Sequence, residues 1–246
     1  MPALRVLKKI CTATLVCLST LVCLLVLACN KHTTTILSFN GSTPIVEARS
    51  PKQIANQYFK LQKAWTRHTE VFDHFEGRLF TSATLMSPRF EEARTNHHQE
   101  KLGLSAIESS ELLQKRIRRS KEGYLFFVTL SSSDMPKLQR PNIQRKVNEV
   151  IKGREDELKA SLIIDGKPFP LSKVDQLTFK RAQALHDDFP YVTPVKTGYW
   201  LYFEVPAKYR ADQLKQKASI ETEHIFQLRF SSLSATALLE WHLSFQ

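Results

Sequence analysis

Tyr199-Trp200-Leu201-Tyr202-Phe203-Glu204-Val205 is the stretch on which the fold turns. Four aromatic rings and a terminal Val, with a single charge among them, favour an extended chain of strand length. Around it the strand signature recurs with a period of two. Leu158, Ala160, Leu162 and Ile164 alternate with mostly polar neighbours, and Asp165-Gly166 is a turn pair from which Lys167–Leu171 returns. Phe226, Leu228 and Phe230 alternate with Gln227 and Arg229. Leu239, Trp241, Leu243 and Phe245 alternate with Glu240, His242 and Ser244. One apolar face per strand predicts antiparallel sheet covered on one side. Several such strands after Glu157 predict a mainly antiparallel, immunoglobulin-like β-sandwich in the C-terminal half.

The preceding half reads differently. Ser50-Pro51-Lys52-Gln53 is a helix start: Ser50 caps, Pro51 suits the first turn and Gln53 completes a capping box. Ile54, Tyr58, Leu61 and Trp65 then fall on one helical face. Arg78–Leu85 has strand character. Ser87-Pro88 opens another helix, with Glu91 and Glu92 where acids suit the macrodipole. Ser105 and Glu108 form a second capping box, and that helix ends in the basic run Lys115–Lys121 before Gly123. The run is an ordinary helix stop, with an anionic-surface patch as the functional alternative. Tyr124–Leu130 reads as a strand buried on both faces, and Pro141–Lys152 as a helix. The class is therefore α+β, one domain over 50–246, helix-rich from 50 to 153 and β-rich from 154 to 246. Its N-terminal helices are packed on the sandwich or inserted into it.

Before this body lies an export signal. Met1–Lys9 carries Arg5, Lys8 and Lys9 and no acid, and Ile10–Ala28 is an uncharged apolar run of 19 residues. A basic start, an apolar core and a small residue at its end form a secretory signal. An uncleaved membrane anchor is the alternative, since 19 residues nearly span a bilayer. Val26-Leu27-Ala28-Cys29 resembles the lipobox of bacterial lipoproteins. That resemblance implies cleavage after residue 28 and lipidation of Cys29, a palmitate-bearing N-terminus. Asn30 rather than Asp follows, which by the same resemblance implies the outer membrane. Asn30–Arg49, rich in Thr and Ser, reads with Cys29 as a flexible tether. Cys11, Cys17, Cys23 and Cys29 are the only cysteines, so residues 30–246 hold no disulfide, thiol nucleophile or Cys metal ligand.

Losing Arg5, Lys8 and Lys9 takes the formal charge from +11 to +8. In an exported chain the counterparts of a basic surface are anionic lipid head groups, lipopolysaccharide or cell-wall polymers rather than nucleic acid. A merely solvated surface is the plainer reading. Glycine numbers only 7, and no glycine-rich phosphate loop appears, so no cofactor is expected.

His186-Asp187-Asp188 is the most metal-like cluster, offering imidazole and carboxylates together. Adjacent residues seldom aim at one ion, and a polar turn is the plainer reading. His97-His98 has no Glu at metalloprotease spacing and is expected in solvent. His68 and His74 share no helix face. Ser131-Ser132-Ser133-Asp134 reads as a turn, not a nucleophile elbow. Phe189-Pro190-Tyr191 and Tyr199-Trp200 line a ligand site in one reading and pack a core in the other. No catalytic residue is assigned.

Trp65-Thr66-Arg67, Ala83-Thr84, Ser87-Pro88-Arg89-Phe90, Asp165-Gly166, Phe189-Pro190-Tyr191-Val192 and Glu240-Trp241 give the body a further likeness. From about Lys60 onward it resembles uncharacterised lipoproteins of Gram-negative bacteria. This implies an exported β-rich module and supplies no active-site residues. The expectation is a membrane-anchored envelope lipoprotein, a non-enzymatic binding or structural module. Its partners would be the membrane, through Cys29, and an envelope protein or anionic envelope polymer. The alternative is a periplasmic ligand- or metal-binding protein using the His186–Asp188 region.

Overall fold

The computed structural model describes residues 36–39, 50–73, 76–119, 122–131, 158–217, 223–232 and 235–245. The expected signal segment, Cys29, His74, Ser132–Asp134 and the expected Pro141–Lys152 helix lie outside the described residues. In chain order the elements are β1 (Ile36–Ser38), α1 (Pro51–Trp65), β2 (Thr66–Asp73), β3 (Glu76–Leu85), α2 (Pro88–Leu102), α3 (Ala106–Arg118) and β4 (Gly123–Ser131). There follow β5 (Lys159–Ile164), β6 (Lys167–Pro170), β7 (Lys173–Gln176), α4 (Phe179–Gln183), β8 (Thr197–Glu204), a 3-10 turn (Ala207–Tyr209), α5 (Ala211–Lys217), β9 (Glu223–Ser231) and β10 (Thr236–Ser244).

The strands form two five-stranded sheets, ordered β1-β10-β9-β5-β6 and β2-β3-β4-β8-β7. Neighbours are antiparallel except β1 and β10, which run parallel. In the first sheet Phe226, Leu228 and Phe230 of β9 face Ile164, Leu162 and Ala160 on one side and Trp241, Leu239 and Ala237 on the other. All nine are buried. In the second, Tyr124, Phe126 and Val128 pair with Phe203, Leu201 and Tyr199. Rings from the two sheets meet: Tyr124 lies 4.8 Å from Phe226 and Phe126 5.4 Å from Trp241 between centroids. The alternation read from sequence thus fills a shared apolar core. The hairpin forms as expected, with φ of 48° at Asp165 and 80° at Gly166, the left-handed pair that Asp-Gly tolerates.

The helices also start where their caps say. Ser50 and Gln53 bond reciprocally, as do Ser105 and Glu108, and the Ser87 hydroxyl accepts from Phe90 N at 3.1 Å. The helices α2 and α3 sit between β3 and β4, which pair directly, so they are an insertion within the second sheet. That sheet's other face carries Phe127 and Trp200. Phe189 packs on Phe127 at 4.3 Å, Phe90 of α2 lies 6.3 Å from Phe189, and Tyr58 of α1 lies 5.7 Å from Phe90. This is why β4 is buried on both faces.

Two expectations need amending, and one strand had no expectation. The β-rich region is not confined to 154–246, because β2, β3 and β4 make three of the second sheet's five strands. The strand Thr66–Asp73 follows α1 with no loop. Its polar residues leave no clean alternation to read. Within the expected 29–49 tether, Ile36–Ser38 pair with His242–Ser244, and Phe39 is fully buried against Phe245, 4.9 Å away. Four residues with one deeply buried ring gain enough from burial to order a polar stretch locally.

Candidate functional site

The residues singled out for metal chemistry go to three different places. His186 Nδ1 lies 2.9 Å from the Val192 carbonyl, and Asp187 is bonded to Lys101 at the surface. Asp188 turns inward. Its Oδ2 accepts from Arg94 Nε at 2.9 Å and Nη2 at 2.7 Å, and its Oδ1 accepts from His98 Nε2 at 2.7 Å. Its backbone carbonyl accepts the Tyr58 hydroxyl at 2.6 Å. Arg116 of α3 donates to His98 Nδ1 at 3.1 Å and to Thr95 Oγ1 at 2.9 Å, which fixes the His98 tautomer with its proton on Nε2. Glu91 lies 3.6 Å from both Arg94 and Arg116.

Asp188 therefore joins all three long helices to the loop before β8. Burial works to raise its carboxyl, but the His98 hydrogen bond and the Arg94 charge win and hold it at about 2. Three of its roughly four acceptor sites are taken, and His186 and Asp187 turn to other partners. Among the described residues no group of three or more His, Cys, Asp or Glu side chains is arranged to hold a metal ion. His97 and His98 are half-buried, not solvent-exposed: His97 stacks on Tyr58 at 4.6 Å and 2°, and Asp188 draws His98 in. Short polar runs on a helix say nothing about which loop will cover them.

The aromatics of the second candidate pack a core. Phe189 is fully buried, and the Tyr191 hydroxyl lies 2.7 Å from Thr84 Oγ1, itself 2.6 Å from Thr66 Oγ1. Trp200 belongs partly to that core, 4.9 Å from Phe127 and with Arg94 5.8 Å over its ring. It also lines an open groove of about 510 Å³.

The groove has a simple construction. Leu125 of β4 pairs with Tyr202 of β8, and Lys173 and Asp175 of β7 pair with Tyr202 and Trp200. Cross-strand partners share a face, so these side chains and Trp200 stand together on the outer side of the second sheet. Leu125, Trp200 and Tyr202 are the floor. On the β4 side the floor is flanked by Arg118, Arg119 and Glu122 from the end of α3 onward; on the β7 side by Lys173, Asp175 and, from α4, Arg181. Four cations thus face two carboxylates.

The charges are unequally engaged. Arg181 Nη2 bonds Asp175 at 3.0 Å, and Lys173 Nζ lies 5.6 Å over the Tyr202 ring. Arg118 and Arg119 are exposed and have no acidic partner among the described residues. The Trp200 indole N–H and Tyr202 hydroxyl have no hydrogen-bond partner among the described residues either, and both side chains are partly exposed. Burial first, then Glu122 and Glu204, push the Tyr202 phenol up, so it stays a donor at neutral pH. The arrangement offers hydrogen-bond donors and positive charge over a small apolar floor.

Sequence reading offered the basic run holding Arg118 and Arg119 as a helix stop or an anionic-surface patch, and Trp200 as a ligand-site or core aromatic, with nothing to join the two. Lys173 and Arg181 carry no local signal; the β7–β8 pairing brings them in. Among the described residues no helix is long and apolar enough to cross a membrane. No protein-family model, curated protein or solved structure matches the chain.

Proposed function

We propose that the chain is a lipid-anchored envelope protein acting as a non-enzymatic binding module. Cys29 carries the lipid and holds the body at the outer membrane. The two sheets pack face to face as an immunoglobulin-like β-sandwich, and the helices dress one side of it. The inter-sheet ring contacts of Phe126 with Trp241 and of Tyr124 with Phe226 support that packing.

The observation that carries the binding reading is the basic groove, where Arg118, Arg119, the Trp200 N–H and the Tyr202 O–H have no acid or hydrogen-bond partner among the described residues, beside an apolar floor. Donors without a partner in a partly exposed groove are what a ligand with acceptors would satisfy. Tethering raises the body's effective concentration for anything near the same membrane. The module's partners are anionic envelope components rather than nucleic acid.

In-cell photo-crosslinking tests this. A benzophenone amino acid at Tyr202, in the groove, should give a discrete adduct. The same group at Arg229, exposed on the first sheet, should give none. Equal adducts from both positions, or none from Tyr202, would count against a binding site in the groove.

A further inference from the structure

The groove's donor pattern also limits its ligand. We infer that it takes an acidic carbohydrate: sugar rings bearing carboxylate or phosphate, from a free polymer or from a glycolipid head. This rests on the binding-module reading and deepens it.

The cations come first. Arg118 and Arg119 sit side by side, exposed and without an acid among the described residues, while Arg181 is engaged by Asp175. A guanidinium grips a carboxylate or phosphate through two parallel N–H bonds, so the α3 end is the anion's seat. Next to it the floor offers single neutral donors, the Trp200 N–H and the Tyr202 O–H. Neutral donors in a row beside a cation pair match a hydroxylated ring better than a bare polyanion. Polyphosphate would leave the neutral donors and the apolar floor poorly used.

Two other ligand types fit less well. A single-stranded nucleic acid needs open aromatic faces on which successive bases stack. Here Lys173 lies over the Tyr202 ring, and Phe127 and Arg94 crowd Trp200. The rings therefore offer polar edges more than faces. An acyl chain needs an enclosed apolar slot, whereas this floor is three half-exposed side chains. A groove of about 510 Å³ accommodates a short oligosaccharide by size.

The test is titration calorimetry on the full chain in non-ionic detergent. The probes are an oligogalacturonate, a phosphorylated oligosaccharide, a neutral oligosaccharide of equal length, and polyphosphate of matched charge. Binding of at least one acidic sugar, at least tenfold tighter than the neutral sugar and polyphosphate, is the expected result. In Arg118→Glu/Arg119→Glu and in Tyr202→Phe that binding should fall at least tenfold and about threefold respectively, with the melting temperature unchanged. Vesicles of anionic phospholipid with and without an acidic glycolipid separate the sources. Gain of binding with the glycolipid assigns the lipid head, and no gain assigns the free polymer.

Polyphosphate binding as tightly as the acidic sugars, an unaffected double variant, or no acidic-sugar binding at all would overturn the inference. If the Tyr202 photo-adduct forms in cells while both acidic sugars fail, only the ligand class is wrong. If the adduct is missing as well, the binding-module reading fails with it.

Discussion

Replacing Asp188 with Ala removes the acceptor of two buried hydrogen bonds from Arg94 and a part-buried one from His98. Arg94 is only 6% exposed, and afterwards its remaining carboxylate is Glu91 at 3.6 Å. Stripping the partner from a buried charge costs about 3–5 kcal/mol. Glu91 softens this, so about 3 kcal/mol is expected. Asp188→Asn keeps the size and one acceptor oxygen but loses the charge. The carboxyl shifts from 3.8 to about 2, which corresponds to about 2 kcal/mol. A folded-state value below the unfolded one means stability that is full above pH about 4 and is lost as pH falls towards 2. The gap between wild type and Asp188→Asn should therefore shrink to roughly a few tenths of a kcal/mol at pH 2. Urea unfolding followed by tryptophan fluorescence measures it. With a slope of about 2 kcal/mol per molar, the Asp188→Ala midpoint at pH 7 should drop by about 1.5 M. A drop below about 0.5 M, or an Asp188→Asn gap independent of pH, would show that water rather than Asp188 satisfies Arg94.

Other expected outcomes are independent of that network. Trp241→Phe strands the Trp65 carbonyl that accepts the indole N–H at 2.9 Å and should cost about 2–3 kcal/mol in urea unfolding. Gly123→Ala would set a Cβ 2.1 Å from the Phe203 carbonyl oxygen; the β4–β8 pair must shift, and a loss of about 3 kcal/mol is expected. His242 sits between Glu223 and Glu240; burial works to lower it, but their hydrogen bonds raise it above 6.5. Its contribution to stability is therefore full below pH 6.5 and fades as pH rises through the higher folded value. An NMR titration midpoint at or below 6.5 would refute this. Cys29→Ala with an intact signal should release the body from membranes on fractionation, and a variant still membrane-bound would favour an uncleaved anchor.

What could be read from sequence was what neighbours in sequence decide. Ser50 with Gln53, Ser105 with Glu108, and Asp165 with Gly166 each act within a few residues and formed as expected. The alternations at Phe226–Phe230 and Leu239–Phe245 fixed inward faces because strand side chains have period two. The sequence was silent where distant residues decide. Nothing local at Asp188 announces Arg94 and His98, which are about ninety positions away. The groove draws on α3, β4, β7, α4 and β8, so its cations look like unrelated surface residues until the second sheet assembles. β2 and β1 were missed for the same reason: each is held by a partner strand rather than by its own pattern.

The central claim is that the groove, through Arg118 and Arg119, is where the module binds. In-cell crosslinking from Tyr202, with and without Arg118→Glu/Arg119→Glu, tests it most directly. The account predicts a discrete adduct from the groove that disappears when the two charges are reversed, in a chain that stays folded and membrane-bound. An adduct that persists unchanged after charge reversal would contradict it.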